Sequence, residues 1–327
     1  MSWVKDMYSF VVVDYNSPKK TFFYIEHIKE NSISNCHINY IVVDNSPEEK
    51  CASFVLENGY DYDACKINLM NESYEYVVVI YNNIKIYIIF SKKNLGYAKG
   101  NNLGALFADQ LFPYDKYIVF SNNDLEVIGK LKWDLIKEFF SNHKKCAVVG
   151  PNIINKSDKK AISPLKKNSI WKELFIYYYD CLTMHKLLQK YCDFVEEKNR
   201  TSICEAVAGS FLIVDKCKFF TSGMYDKNTF LYYEELILAA RTKMKRYENW
   251  FFLDDGFQLI HEHNVTVKKN LFFLKSDIIS FESRCYYLRK YRDVNKFLLR
   301  LAQLNFWLIF VPIALLKFFI KSILKKQ

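Results

Sequence analysis

The sequence predicts an α/β fold in which a mostly parallel, Rossmann-like sheet is flanked by helices. Two short runs rich in β-branched residues, 10–14 and 40–44, each end in an aspartate that is followed by turn-forming residues. A segment of helical length, 18–31, lies between them. Strand, helix and strand in this order form a parallel βαβ unit. Asp14 and Asp44 therefore lie at the carboxyl ends of their strands, which is the edge where open α/β sheets bind ligands.

The rest of the chain continues to alternate between strand and helix patterns. Two strand-like runs flank Asn82 and Asn83, a pair that favours a hairpin; the runs are 76–81 and 84–90. The pattern then predicts strands at 117–121, 146–150 and 206–214, a helix at 131–140, a helical and aromatic insertion at about 163–200, and a helix that starts near Tyr232.

Length and cysteine content restrict the class of protein. A chain of 327 residues that is 50% hydrophobic can bury a full core. We expect one large domain over 1–270, which carries the insertion, and a helical tail over 271–327.

The nine cysteines are odd in number and form no Cys-x-x-Cys motif, which favours reduced thiols over disulfides or a zinc site. The N-terminus shows no signal-peptide pattern, so we expect a cytoplasmic protein.

Most of the net charge of +10 belongs to the tail. Residues 284–327 contain ten Lys or Arg and one acid, a net charge of +9, together with the apolar run 306–316. A segment that is both basic and apolar indicates a membrane surface rather than nucleic acid. The run has 11 residues, fewer than the roughly 20 that span a bilayer. We therefore prefer a helix that lies in the membrane plane or is partly inserted. A spanning helix with snorkelling lysines and a buried core helix are the alternatives.

A turn that contains two glycines, 94–102, follows a predicted strand and opens a helix. Gly96 and Gly100 allow the backbone to approach closely, and amides at a helix start can face an anion. The spacing matches neither Gly-x-Gly-x-x-Gly nor a P-loop. The motif therefore gives no support for a dinucleotide-binding or an ATP-binding site. A ligand contact and an ordinary strand-to-helix turn both fit the spacing.

An acidic residue closes the predicted strand 117–121. Asp124 ends the sequence Ser-Asn-Asn-Asp, and a carboxylate in this place suits a hard divalent cation that also binds phosphate oxygens. An aspartate that caps the next turn is the alternative.

Two further carboxylates, Glu234 and Glu235, follow an apolar and aromatic run at a predicted helix start. Apolar surroundings raise the pKa of a carboxyl group, which suits a general base that accepts a hydroxyl proton. Acids in a first helical turn also compensate the helix dipole, which is the structural alternative.

A histidine-rich segment near the end of the predicted domain contains His261 and His263, with Asp254 and Asp255 just upstream. A His-x-His arrangement on a strand can chelate a metal, and a metal-dependent hydrolase would use the same residues. A single histidine at a strand end is more often structural.

The order of these motifs resembles that of bacterial family 2 glycosyltransferases, in their rhamnosyltransferase-like branch. The resemblance covers about residues 8–270 and rests on ordered blocks at 11–16, 41–46, 94–102, 121–124, 149–151, 208–213, 223–226 with 230–235, and His261 with Asn264 and Thr266. Several blocks in one order are more specific than any single motif. The resemblance implies the GT-A fold and an inverting transferase.

The same resemblance implies roles for individual residues. Those that would bind the nucleotide-sugar are Asp14, Asn16, Asp44, Asn94, Gly96, Asn101, Asn123 and Asp124, with Asp44 near the base. Asp124 and His261 would bind a divalent cation, Mg2+ or Mn2+. Glu235 would be the catalytic base, with Glu234 as the alternative base.

Two departures from the family pattern bear on these roles. Asn122 replaces an acid that many relatives carry in the metal motif, and the base motif is Glu-Glu rather than Glu-Asp. The longer second acid shifts the reactive oxygen, and misplacement near 1 Å costs on the order of a hundredfold in rate. A catalytically inactive, glycan-binding relative is therefore an alternative.

By resemblance, the donor is an NDP-sugar and the acceptor is a glycan, most simply a lipid-linked oligosaccharide used in capsule or O-antigen synthesis. The tail would then hold the enzyme on the inner face of the cell membrane. No role in nucleic-acid binding is expected.

Overall fold

The computed structural model of the protein describes residues 7–33, 36–175, 195–196, 198–261 and 273–316. The chain divides into two compact units. One consists of Met1–Leu165 with Glu197–His263, and the other of Lys166–Glu196 with Asn264–Gln327. Most of the predicted insertion and the predicted tail belong to the second unit. The predicted boundary at residue 270 lies outside the described residues.

The first unit is an α/β layer structure on a large mixed sheet. In chain order its elements are β1 (Met7–Asp14), α1 (Pro18–Glu30), β2 (Ser32–Ile33), β3 (His37–Asp44), α2 (Lys50–Glu57), β4 (Tyr62–Leu69), β5 (Glu72–Tyr81), β6 (Ile84–Phe90), α3 (Gly96–Leu111), β7 (Tyr117–Ser121), β8 (Leu125–Ile128), β9 (Leu131–Lys132), α4 (Trp133–Asn142), β10 (Cys146–Asn155), β11 (Ser202–Cys204), β12 (Phe211–Asp215), α5 (Lys216–Thr221), α6 (Glu234–Met244), β13 (Glu248–Phe252) and β14 (Gln258–His261).

The strand order is β11-β13-β10-β12-β7-β1-β3-β6-β5-β4, and β14 also pairs with β10 and β8. The predicted βαβ unit is present, because β1 pairs in parallel with β3. The parallel run β7-β1-β3-β6 forms the centre. Antiparallel strands β12 and β5 lie on its two sides, so the parallel character that the sequence predicts belongs to the middle of the sheet.

Individual elements follow the predicted pattern with local differences. The hairpin between β5 and β6 turns at Asn82 and Asn83, whose φ angles of 46° and 62° are the left-handed values that a two-residue turn requires. The strand predicted over 206–214 forms only from Phe211, because Ala206 instead makes an isolated bridge to Leu165.

The core lies on both faces of the sheet. Along β1, Phe10 and Val12 pack on one face and Val11 packs on the other, as the period of two in a strand requires. Gly104 allows α3 to approach β1 closely, because a Cβ atom at this position would lie 2.4 Å from Cγ1 of Val11.

The register of the central strands brings their polar ends together. Asp14 lies opposite Asp44 in the β1–β3 pair. Asp44 lies opposite Phe90 in β6, and Val12 lies opposite Ser121 in β7. The turns that follow these four strands therefore share one edge of the sheet.

The second unit contains α7 (Phe273–Tyr291) and α8 (Lys296–Asn305). A π-helical turn, Phe306–Phe310, extends α8, and helical structure continues to residue 316. The resulting helix, Lys296–Leu316, has 21 residues and is, within the described part of the chain, the one helix long and apolar enough to cross a membrane. It is longer than the 11-residue run suggested because α8 precedes that run.

This helix has two apolar faces. Phe306 and Phe310 are buried against α7, where the ring of Phe306 stacks on Phe281 at a centroid distance of 4.0 Å. On the other side Leu304 and Leu308 are 54% and 69% exposed. A single isolated helix of this kind is weak evidence for a membrane, but the exposed face distinguishes it from a buried core helix.

Candidate active site

Asp124 and His261 meet at the edge where the central strands end. β14 runs antiparallel to β8, and this register places His261 opposite Leu125, next to Asp124. Nε2 of His261 lies 2.9 Å from Oδ1 of Asp124, and the two side chains are only 7% and 8% exposed. The structure thus brings together the two residues that the resemblance assigns to the metal. Their role as metal ligands stays a prediction.

The geometry of this pair fits a shared cation. An octahedral Mg2+ holds its ligands at about 2.1 Å, so two adjacent ligand atoms lie about 3 Å apart. Oδ1 of Asp124 and Nε2 of His261 have this separation already. A carboxylate oxygen and an imidazole nitrogen suit Mn2+ and related ions. The same 2.9 Å is the length of an ordinary N–H···O hydrogen bond, so a cation shared by Asp124 and His261 would replace the bond between them.

A second group that could hold a metal consists of Asp14, Asp44 and Cys51, whose ligand atoms lie within 4.8 Å of one another. The donor set is a poor match for a hard cation. Burial and the two nearby carboxylates raise the pKa of the Cys51 thiol well above its ordinary range, which disfavours the thiolate that a metal would bind. Mg2+ and Mn2+ prefer oxygen ligands to a thiol.

The two aspartates are already bonded to the surrounding loops. Asp14 is fully buried and accepts hydrogen bonds from the backbone N–H and the hydroxyl of Ser17 and from the hydroxyl of Thr21. Asp44, also buried, accepts from the backbone N–H groups of Ser46 and Cys51. These contacts order the turns after β1 and β3, as side-chain caps do.

Four other residues with predicted roles in nucleotide-sugar binding differ in their accessibility. Asn123 is buried and donates to the hydroxyls of Ser17 and Thr21. Asn101 is 2% exposed and donates to the Tyr97 carbonyl. Asn16 and Asn94 are exposed. We therefore regard Asn16 and Asn94 as the members of this set that can reach a ligand directly.

The backbone N–H groups at the start of the 94–102 turn donate to side chains of the protein itself. The side-chain oxygen of Asn45 accepts from the Leu95 N–H, and that of Asn94 accepts from the Gly96 N–H. Asn45 also donates to Asn94 at 3.1 Å. These first amides of α3 are thus satisfied by the protein. This favours the structural interpretation of the turn over a site where helix amides face an anion.

Glu234 and Glu235 begin α6, after two residues with left-handed backbone angles. The φ angles of Tyr232 and Tyr233 are 74° and 68°, values that are uncommon for aromatic residues and that occur at functional sites. Glu234 is 4% exposed, whereas Glu235 is half-buried. Glu235 is therefore the more accessible of the two residues.

Burial raises the pKa of both glutamates. For Glu235 the desolvation of the carboxylate is the main cause; hydrogen bonds from its own backbone N–H and then from the Gly209 N–H, at 3.2 Å from Oε1, oppose it. The pKa of Glu234 lies well above its ordinary range, because of burial first and the charge of Glu235 second. A half-buried carboxylate with a raised pKa can take up a proton, as the sequence motif predicts.

A backbone link joins the Glu235 region to the Asp124 region. Gly209, which contacts Glu235, precedes Ser210, whose carbonyl accepts a 2.8 Å hydrogen bond from the Asn122 N–H. Asn122 lies two residues before Asp124. The backbone that contacts the Glu235 carboxylate and the segment that leads to Asp124 thus lie at the same edge of the sheet, where β12 begins and β7 ends.

The acids upstream of His261 have local partners. Asp254 accepts from the Gly256 N–H, and Asp255 accepts from the side-chain amide of Gln258. They order the turn before β14. His263, the other residue of the proposed His-x-His motif, lies outside the described residues, as do Asn264 and Thr266.

Sequence reasoning assigned no role to Asn45 or Gly209, although both lie inside or beside quoted motif blocks. Asn45 connects the turn after β3 to the turn before α3. A Cβ atom at Gly209 would lie 2.6 Å from Oε1 of Glu235. The glycine in the Ala-Gly-Ser block was the available signal, since glycine permits such close approach.

Comparison with known proteins agrees with this architecture. No protein-family model matches the sequence, and no curated protein matches it significantly. Among solved structures, GalNAc-T7 with UDP, GalNAc and Mn2+ aligns with a TM-score of 0.50 and 13% identity over 80% of this chain and 44% of that one. S. aureus TarS 1-349 in complex with UDP aligns with a TM-score of 0.47 and 12% identity over 88% and 73% of the two chains.

The chain spans less than half the length of the GalNAc-T7 chain. At this level of identity, the likeness concerns the fold alone. Together with the mixed sheet flanked by helices, it shows that this chain has the α/β fold of GT-A glycosyltransferases.

Proposed function

We propose that this protein is an inverting glycosyltransferase of family 2, in the rhamnosyltransferase-like branch, which moves a sugar from an NDP-sugar to an acceptor hydroxyl. The observation that carries the proposal is that Gly209, whose N–H binds the carboxylate of half-buried Glu235, and the Asp124–His261 pair both lie where β7 ends, at the ligand-binding edge of a GT-A sheet. The order of the sequence motifs supports the family.

The donor would occupy the edge formed by the turns after β1, β6 and β7. Asn16 and Asn94 supply exposed amide groups there. A divalent cation held by Asp124 and His261 would neutralise charge on the donor's diphosphate as it leaves. The GalNAc-T7 structure contains UDP and Mn2+, which supports a nucleotide-sugar and a cation as the molecules to test first.

Glu235 would act on the acceptor. The acceptor oxygen attacks the anomeric carbon from the face opposite the diphosphate, the bond from that carbon to the diphosphate oxygen breaks, and the configuration inverts. The hydroxyl proton passes to Oε2 or Oε1 of Glu235, whose raised pKa suits this transfer. Glu234, nearly inaccessible, would shape the surroundings of Glu235 rather than accept the proton.

The acceptor would be a glycan on a membrane lipid, in the synthesis of a surface polysaccharide such as capsule or O-antigen. The support is the helix Lys296–Leu316, which has exposed leucines and belongs to a segment of strongly positive charge. Apolar and basic groups together favour an anionic lipid surface. Because one face already packs on α7, we favour a helix that lies in the plane of the membrane on its cytoplasmic side.

The proposal is tested by incubating the purified chain and Mn2+ with a panel of UDP-, dTDP- and GDP-sugars. We expect at least one sugar nucleotide to raise the unfolding temperature, as a ligand of the native state does, and to lose its sugar slowly to water. Stabilisation without any turnover would indicate the inactive, binding-only relative. Neither stabilisation nor turnover with any donor would reject the proposal.

A further inference from the structure

Tyr97, the second residue of α3, contacts both segments that hold Glu235. Its backbone N–H donates to the Phe230 carbonyl at 2.9 Å, and its hydroxyl donates to the Gly209 carbonyl at 2.5 Å. Phe230 lies five residues before Glu235, and Gly209 donates its N–H to the Glu235 carboxylate. One residue of the 94–102 turn therefore contacts both the loop that leads to the proposed base and the backbone that the base's carboxylate contacts.

The packing around these hydrogen bonds leaves little room for movement. A Cβ atom at Gly96 would lie 2.2 Å from the Phe230 carbonyl oxygen. The Tyr97 ring also packs edge to face against Tyr225, with centroids 5.6 Å apart. The loop that leads to the base thus rests directly on the start of α3.

Asn102, one turn further along α3, holds the same loop at its beginning. Its side-chain amide donates to the Tyr225 carbonyl at 2.9 Å, and its side-chain oxygen accepts from the Tyr225 N–H at 3.0 Å. A side chain that binds both backbone groups of one residue fixes that residue in position and orientation. The contacts of Tyr97 and Asn102 therefore hold the loop at two points, Tyr225 and Phe230.

We propose that Tyr97 is a positioning residue for Glu235, so that the 94–102 turn orients the base through the loop at 225–235 and through Gly209. The inference rests on the proposed role of Glu235 as the base. It gives the turn a function in catalysis that does not require the turn to touch the substrate.

The proposal has a consequence for titration of the base. The Gly209 N–H stabilises the charged form of Glu235 and so lowers its pKa, against the larger effect of burial. Loss of the Tyr97 hydroxyl would release Gly209 and weaken this hydrogen bond. The pKa of Glu235 would then rise further, and the base would lose its proton only at higher pH.

The test compares Tyr97→Phe, which removes only the hydroxyl, with Tyr114→Phe at a tyrosine that is 79% exposed. The Glu235 carboxyl is followed by carbon-13 NMR of glutamate-labelled protein, its signal assigned by its absence in Glu235→Gln. Calorimetry measures the affinity for UDP, dTDP or GDP with Mn2+, and sugar release gives kcat and KM.

For Tyr97→Phe we expect unchanged nucleotide affinity, a fall in kcat on the order of tenfold to a hundredfold, and titration of Glu235 at higher pH than in the wild type. Tyr114→Phe should match the wild type. Unaltered titration and kcat in Tyr97→Phe would overturn the inference, as would a loss confined to nucleotide affinity. If the wild type releases no sugar, the proposed function fails, whereas the NMR titration still decides whether Tyr97 positions Glu235.

A pair of glycine variants tests whether the close contact between Gly96 and the Phe230 carbonyl positions Glu235. Gly96 and Gly59 both have left-handed backbone angles, with φ of 76° and 69°, but a Cβ atom at Gly59 would meet nothing within 4 Å. Both alanine variants are therefore strained, and only Gly96→Ala pushes against the Phe230 carbonyl. A shift of the Glu235 titration in Gly96→Ala alone supports the proposal. Equal behaviour of the two variants contradicts it.

Discussion

Nε2 of His261 lies 2.9 Å from Oδ1 of Asp124, although 137 positions separate the two residues in the chain. The contact depends on the antiparallel pairing of β14 with β8. It places a carboxylate and an imidazole at the spacing of two ligands of one cation, at the same edge of the sheet as Gly209, which contacts Glu235.

This arrangement predicts cation-dependent binding of nucleotide. Mn2+ should strengthen the binding of the preferred nucleoside diphosphate, because the cation offsets the diphosphate charge. Asp124→Ala should abolish that gain, while Asp158→Ala, at an exposed aspartate, should retain it. Calorimetry with Mn2+ and with EDTA measures the effect. Equal affinity under both conditions would remove the cation from the account.

The exposed face of the helix Lys296–Leu316 predicts lipid binding. Replacing both Leu304 and Leu308 by Glu should lower the affinity for anionic vesicles at least tenfold, since burial of one leucine contributes roughly 1.5–3 kcal/mol. Met244→Glu, at a residue that is 77% exposed, should have little effect. Vesicle flotation provides the measurement.

Deletion of the residues after Arg300 should likewise release the protein from vesicles while nucleotide binding persists. A truncated chain that stays bound in moderate salt would show that this helix is not the anchor.

The sequence was sufficient to predict the strands that carry the site. β1 and β3 are β-branched runs that end in aspartate, and local pattern alone determines that their carboxyl ends share an edge. The hairpin at Asn82 and Asn83 follows from the same kind of local preference. These features do not depend on distant contacts.

The hydrogen-bond partners of individual polar side chains could not be predicted from the sequence in the same way. Asp14, Asp44 and Asn123 occupy motif positions, yet their side chains are taken up by hydrogen bonds to neighbouring loops. Whether a strand-end aspartate faces a ligand or a backbone amide depends on how the following turn folds back. That information lies in tertiary packing rather than in motif spacing.

A pair of glycines on α3 gives a prediction of stability. Gly104→Ala should destabilise the fold by about 1–3 kcal/mol, because its Cβ atom would lie 2.4 Å from Val11, in a packed core. Gly100→Ala places its Cβ atom 3.1 Å from Val13 and gains helix propensity of about 1 kcal/mol, so it should be close to neutral. Urea unfolding compares the two. Equal stability losses would contradict the close approach of α3 to β1.

The raised pKa of Glu235 predicts the acid side of the pH profile. Because the carboxylate must be deprotonated to act, turnover should fall as the pH drops through a value above the ordinary 4.5 of a glutamate. Glu234→Gln should leave this limb in place, since burial disfavours the charged form of Glu234 and the substitution introduces no new charge. A limb at or below the ordinary value, measured from kcat against pH, would be inconsistent with a desolvated base.

The central claim is that Glu235 is the base of a glycosyl transfer, and Glu235→Gln tests it most directly. Glutamine keeps the size and an acceptor oxygen but takes up no proton, and general-base assistance contributes about a hundredfold to ten thousandfold. With the preferred sugar nucleotide and Mn2+, we expect kcat to fall by this amount while nucleotide affinity stays the same and Glu234→Gln retains turnover. Near-normal kcat in Glu235→Gln, with or without loss in Glu234→Gln, would contradict the assignment.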